Sequence, residues 1–157
     1  MKVVYVHHGE RVRNGAGVQS DGLTELGTRD SEIVAELLAK KGEGGCRAIY
    51  TSSLTRCVET AKILNSVLNV DIIEDERLQE FGSLDGETWQ EAQARLLACL
   101  DDIVLRYDNE DIVVCVTSGV NLGAFICKAF NLPPSESTPF LGVLGCSPIV
   151  FDFKKGG

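Results

Sequence analysis

The sequence predicts an α/β protein, a three-layer α/β/α sandwich around a mostly parallel, mixed sheet. Three observations carry this. Short apolar runs alternate with longer segments whose apolar residues recur at helical spacing. The most strand-like run, residues 112–116, is apolar throughout, as expected of a strand covered on both faces. At three places a polar cluster follows directly on an apolar run, and ligands of open α/β sheets bind at the carboxyl ends of strands. A chain of 157 residues fits a single domain spanning 1–157 with one core.

In order, residues 3–6 read as a buried first strand. This run stops at His7 and lacks the length and cleavage site of a signal peptide. Asp21, Gly22 and Thr24 introduce a helix in which Leu26, Ile33, Val34, Leu37 and Leu38 share one face; Lys40, Lys41 and Gly42 close it. Residues 48–50 form a second strand. Leu54, Val58, Ala61, Leu64 and Leu68 mark a second helix, and residues 70–73 a third strand. A turn-rich stretch from Phe81-Gly82 to Asp85-Gly86 leads into a long helix over residues 89–107, with Ala92, Leu96, Leu97, Leu100 and Val104 inward. After residues 112–116, a helix over 122–130 ends near Pro133-Pro134. Residues 149–153 form the last strand, with Val143-Leu144 as its candidate short partner. Trp89, Phe125 and Phe130 are assigned to the core.

Composition narrows the function classes. Apolar residues make up 44% of the chain and charged residues 24%. That balance matches a soluble globular protein. No apolar run approaches the length of roughly 20 residues that a membrane span needs. The net charge of −8 argues against broad nucleic-acid or anionic-membrane binding, though not against one phosphate in a locally positive pocket. No two of the six cysteines have the short spacing of a zinc or redox site. Cys57, Cys99, Cys115 and Cys127 sit in apolar-periodic segments. Reduced thiols in a cytoplasmic protein are expected.

The chemistry should therefore lie in His7-His8-Gly9-Glu10, Thr51-Ser52-Ser53 and Thr117-Ser118-Gly119, three strand ends that should meet in space. His8 can present one neutral nitrogen to a phosphoryl group; its bland reading is a satisfied hydrogen-bonding residue. Arg56 lies in the first turn of a helix, where a cation opposes the macrodipole but can grip an anion with two parallel bonds; the alternative is a solvated surface arginine. Glu80 could be held protonated as a general acid, or be a plain surface glutamate.

Together these segments resemble the histidine phosphatase (phosphoglycerate mutase-like) superfamily. His7-His8-Gly9-Glu10 is similar to the R-H-G-E signature, and Leu23-Thr24-Glu25-Leu26-Gly27 to L-T-x-x-G. Residues 49–61, from Ile49 through Ser52, Leu54 and Arg56 to Thr60-Ala61, resemble I-Y-x-S-x-L-x-R-A-x-x-T-A almost position for position. Leu78-Gln79-Glu80 with Gly82 and Gly86 is similar to L-x-E followed by G-x-x-E-G, and residues 113–119 to V-V-T-H-G. The resemblance implies a phosphoglycerate mutase-like fold. It implies His8 as the nucleophile that becomes phosphohistidine, Glu80 as proton donor, and Arg56 as phosphate clamp. By the same resemblance Asn14 lines the pocket, and no metal or organic cofactor is needed.

Two positions depart from the pattern. The first arginine of the family is His7 here, and its second histidine is Ser118. Deleting one such donor costs on the order of 10²–10³ in rate. His7 near a phosphate could become a cation in mild acid, or could face away from His8 because adjacent strand residues alternate; that alternation also argues against a metal held by both. Ser118 donates one hydrogen bond and carries no charge. No arginine occurs from Asn14 to Thr28, and residues 86–118 hold one helix and one strand, without room for a lid. A short open pocket suits a small phosphorylated molecule or a phosphoprotein, and speaks against a mutase that must retain its substrate. Three readings follow: a weakened phosphomonoesterase acting through His8, a pseudophosphatase that binds phosphate or a phosphorylated partner, and an unrelated interaction domain, which leaves the ordered motifs unexplained.

Overall fold

The computed structural model describes residues 1–13, 21–41, 45–132 and 145–154. The order is β1 (Lys2–His7), α1 (Glu25–Lys41), β2 (Cys46–Thr51), α2 (Thr55–Leu68), β3 (Asp71–Glu74), α3 (Trp89–Arg106), β4 (Ile112–Thr117), α4 (Leu122–Phe130) and β5 (Pro148–Asp152). The strands lie in the order β3-β2-β4-β1-β5. All pairings are parallel except β1 with β5, which is antiparallel.

Because strand side chains alternate, each central strand feeds two cores. Val3, Tyr5, Val113 and Cys115 point to the layer of α3 and α4, where they meet Leu96, Leu100, Phe125 and Phe151. Tyr5 packs edge-on against Phe125 with ring centroids 5.0 Å apart. Val4, Val6, Ile49, Val114 and Val116 point to the layer of α1 and α2, against Val34, Ala35, Leu54, Cys57, Ala61 and Leu64. The predicted three-layer mixed-sheet sandwich is thus the observed one.

Each helix has a local cause. The Thr24 hydroxyl accepts from the Gly27 amide at 3.0 Å and caps α1. Thr88 and Glu91 form a capping box on α3. Asn131 takes a left-handed conformation, with φ 51°, and stops α4. Residues 133–144, including Pro133-Pro134 and the Val143-Leu144 pair, lie outside the described residues. Between Gly86 and Ser118 there is one helix and one strand, as predicted.

Two core assignments need correction. The buried stripe of α1 is Gly27, Ser31, Val34 and Ala35, whereas Leu26, Ile33 and Leu37 are exposed. Of the predicted face, Val34 is buried and Leu38 packs against the core, so periodicity found the helix but set its inner face too far towards Leu26, Ile33 and Leu37. The inner face must be small because Gly27 abuts the loop after β1: a Cβ there would lie 2.2 Å from the Glu10 carbonyl oxygen. Phe130 ends α4 and is exposed, while Trp89 is half-buried on Phe81 at the start of α3. Phe125 alone of the three is core.

All six cysteines are free of disulfides; Cys57, Cys99, Cys115 and Cys127 are buried as small hydrophobes, and Cys46 and Cys146 are half-buried. No helix among the described residues is long and apolar enough to cross a membrane.

Candidate active site

The three polar strand ends converge. The His8 amide donates to the Thr117 carbonyl at 3.1 Å, and the Ser52 amide to the Val116 carbonyl at 3.0 Å. These bonds continue the parallel ladder past the strands and hold the loops of β1, β2 and β4 side by side.

His8 is buried, and both ring nitrogens are engaged. Nδ1 lies 2.7 Å from the Gly9 carbonyl oxygen. That oxygen can only accept, so Nδ1 carries the proton. Nε2 is then a bare lone pair, and it accepts from Arg56 Nε at 3.0 Å. Burial, and then the neighbouring His7, push the His8 pKa down to about 3, with Arg56 and Arg11 adding to the depression against the Gly9 bond. The imidazole is neutral across the physiological range, the state a nitrogen nucleophile requires.

Arg56 is fully buried in the first turn of α2. It is no solvated surface residue: besides His8, its Nη2 donates to Glu80 Oε2 at 2.6 Å. The motif around it is a support frame. Thr60 Oγ1, one turn on, donates to the Arg56 carbonyl at 2.8 Å and accepts from the Gly9 amide at 3.1 Å, tying the loop of His8 to the helix of Arg56. Gly9 cannot carry a side chain, since a Cβ would sit 2.4 Å from the Gly27 carbonyl oxygen.

Glu80 stands on a loop held from several sides. Asn121 Nδ2 donates to the carbonyls of Leu78 (3.1 Å) and Gln79 (3.0 Å), and Thr117 Oγ1 to that of Leu78 (2.6 Å). Arg95 Nη1 donates to the carbonyls of Arg77 and Gln79, both at 2.8 Å, while its Nη2 is ion-paired with Glu87 at 2.8 Å. Gln79 Nε2 donates to Ser53 Oγ at 2.6 Å. Sequence reasoning missed Thr60, Arg95 and Asn121 as positioning residues. Thr60 lay inside the quoted motif; Arg95 and Asn121 act on main-chain carbonyls distant in sequence, which leaves no pattern to read.

His7 does not face away from His8. The two rings lie 4.3 Å apart, inclined at 35°. Strand alternation does not apply, because β1 ends at His7 and His8 belongs to the loop. His7 Nδ1 lies 2.8 Å from the Gly145 carbonyl oxygen and donates to it. Burial holds the His7 pKa below its ordinary value, outweighing the Gly145 bond and the Glu80 charge, so the fold disfavours the charged form of the ring. Ser118 is buried; its carbonyl accepts from the Tyr5 hydroxyl at 3.0 Å, while its Oγ has no partner among the described residues. Asn14 lies outside the described residues. Among the described residues no group of three or more His, Cys, Asp or Glu side chains is placed to hold a metal ion.

The family model of the histidine phosphatase superfamily (branch 1) matches residues 3–92 and 82–157. The chain belongs to that superfamily. A probable phosphoglycerate mutase of Yersinia enterocolitica is 27% identical over 190 residues, covering 99% of this chain and 86% of the relative. Among solved structures, YhfR of Bacillus stearothermophilus superposes with a TM-score of 0.75 at 26% identity, covering 95% of this chain and 89% of that one. A mycobacterial glucosyl-3-phosphoglycerate phosphatase solved with VO3 gives a TM-score of 0.73 at 19% identity, covering 95% and 90%, a likeness of fold alone. This superfamily member therefore combines a phosphoglycerate mutase-like fold with a strand-end cluster in which Arg56 joins His8 to Glu80, with His7 and the buried Ser118 close by.

Proposed function

We propose that this histidine phosphatase superfamily member is a phosphomonoesterase acting through a phosphohistidine on His8. One observation carries the reading: the lone pair of a neutral His8 Nε2 and the guanidinium of Arg56 meet in a single hydrogen bond, so a phosphoryl group entering between them finds nucleophile and cation together. Arg56 turns from His8 and Glu80 to the phosphoryl oxygens. His8 Nε2 forms the new N–P bond as the ester P–O bond breaks, and the Glu80 carboxyl gives its proton to the leaving oxygen. Water then attacks the phosphohistidine, the N–P bond breaks, and the Glu80 carboxylate takes the water's proton. Ser118 Oγ, buried without a partner among the described residues, supplies a hydrogen-bond donor to a bound oxygen, and His7 stands beside the nucleophile. The substrate class is a small phosphorylated molecule or a phosphoprotein, reached without a lid between Gly86 and Ser118.

A second reading, a protein that binds phosphate without turnover, is favoured by the uncharged Ser118 and by a His7 whose burial disfavours its charge. Hydrolysis of an aryl phosphate from pH 4 to 8, with acid-quench trapping of labelled phosphohistidine, separates the two. Turnover and trapped label that both vanish in His8→Ala support the enzyme. Phosphate binding with neither label nor turnover, at high enzyme concentration, selects the binder.

A further inference from the structure

The outer face of α1 is apolar where a surface helix is ordinarily polar. Leu26 is 53% exposed, Ile33 57% and Leu37 43%. At about 100° per residue the three fall on one stripe, opposite the buried Ser31 and Ala35. Asp30 does not interrupt the stripe, since its carboxylate lies beside Gly145. With Ile33, Val34 and Leu37 it lines a shallow apolar depression whose other wall is Gly145, Cys146, Ser147 and Pro148.

The charges flanking this stripe say what fits it. Glu25, Arg29, Glu36 and Lys40 are all exposed, and none joins an ion pair among the described residues. With Glu32 turned further from the stripe than these four, the order along this flank through Ile33 is negative, positive, centre, negative, positive. Reversed against itself, that order puts opposite signs together. In an antiparallel pair of α1 helices with the dyad beside Ile33, Glu25 faces Lys40 of the other copy and Arg29 faces Glu36. The two Ile33 side chains meet at the centre, and each Leu26 falls within a turn of the opposing Leu37. In a parallel pair the charged flanks of the two copies fall on opposite sides of the seam, and these four charges do not meet. Within one helix the same residues also stand at i,i+4 spacing, Glu25 with Arg29 and Glu36 with Lys40, a spacing that favours opposite charges. Helical pairing alone, however, places no leucine and isoleucine on the outer face.

We infer that the outer face of α1 is a self-association surface, binding a second copy of this chain as an isologous, antiparallel helix pair. The contact is self-complementary, as a two-fold interface requires. A helix of 17 residues, about 25 Å long, is a small interface, so the dimer is of the weak, reversible class. It borders Gly145, whose carbonyl holds His7, so association would cover the far side of that support. The inference is independent of turnover at His8.

Sedimentation velocity over roughly 5–500 µM tests it in the concentration range where small interfaces form. The expected result is a rise towards twice the monomer mass, abolished by Ile33→Asp, a change at an exposed site that leaves the thermal unfolding cooperative. Arg29→Glu should weaken association about 10-fold or more, and Arg29→Glu with Glu36→Arg should restore it. Within a single helix that double variant creates two like-charge pairs, so rescue can come only from pairing between copies. A monomer at every concentration, association indifferent to Ile33→Asp, or failure of the double variant to rescue would each overturn the antiparallel pair.

Discussion

Arg56 joins the two groups that the proposed reaction needs: its Nε bonds His8 Nε2 at 3.0 Å and its Nη2 bonds Glu80 Oε2 at 2.6 Å. Because the guanidinium is planar and fully buried, the His8 ring and the Glu80 carboxyl are held at a fixed separation. Lysine, a point charge on a flexible stem, cannot span both. Arg56→Lys should lower kcat/KM for an aryl phosphate by on the order of 10²–10³, the cost of losing one preorganised donor. Activity retained within a few-fold would remove Arg56 from the mechanism.

In the proposed reaction Glu80, already paired with Arg56, and phosphate compete for the same guanidinium. Glu80→Gln should therefore bind inorganic phosphate or vanadate at least as tightly as the parent while losing most turnover. Calorimetric Kd values beside kcat check this. Thermal shifts give a second readout, since a ligand at one hundred times its Kd adds about 2.7 kcal/mol to stability. Weaker binding in Glu80→Gln would place the carboxyl in the binding of phosphate rather than in competition with it.

Acid should destabilise the fold through His8. The folded pKa is pushed to about 3 from an ordinary 6.5. Between those values the unfolded chain holds a proton that the folded site refuses. This contribution to stability is fully present above the unfolded value of 6.5. It is lost as pH falls through that window, by up to about 1.4 kcal/mol per pH unit. His7, also depressed by burial, adds to the fall in the same direction. Urea midpoints at pH 5 and pH 7 should differ in the parent and differ less in His8→Asn. Equal differences in the two proteins would locate the proton elsewhere.

Anion binding should reverse that logic at His7. A phosphate beside the ring favours its charged form. Phosphate affinity should therefore strengthen from pH 8 to pH 6 more steeply in the parent than in His7→Gln, a comparison that cancels the titration of phosphate itself. Identical profiles would show that His7 is no substitute for the family's arginine.

Asn121 is expected to act through position alone. It donates to the Leu78 and Gln79 carbonyls. Asn121→Ala leaves those buried acceptors less satisfied, at a cost of about 1–3 kcal/mol in stability. The loosened Glu80 should lower kcat with little change in phosphate Kd, a split that general destabilisation would not produce.

The strands, the helices and their order were legible because apolar period and run length set them directly. His8, Arg56 and Glu80 were legible through their motifs, and the structure brings all three into contact. The inward face of α1 was not: Leu26, Ile33 and Leu37 make the better helical stripe, yet Gly27 and its small neighbours face in because the backbone of the Gly9-Glu10 loop leaves no room for a side chain. Nor was the side on which His7 lies, since alternation depends on where β1 stops, and that is decided by pairing with β4 and β5. By itself the sequence determined the elements, their layering and the residue types at the strand ends. Only the tertiary structure decided which nitrogen of His8 is bare, that His7 lies beside it, and that Arg56 joins His8 to Glu80. These are relations between side chains far apart in the chain, and packing, not local pattern, sets them.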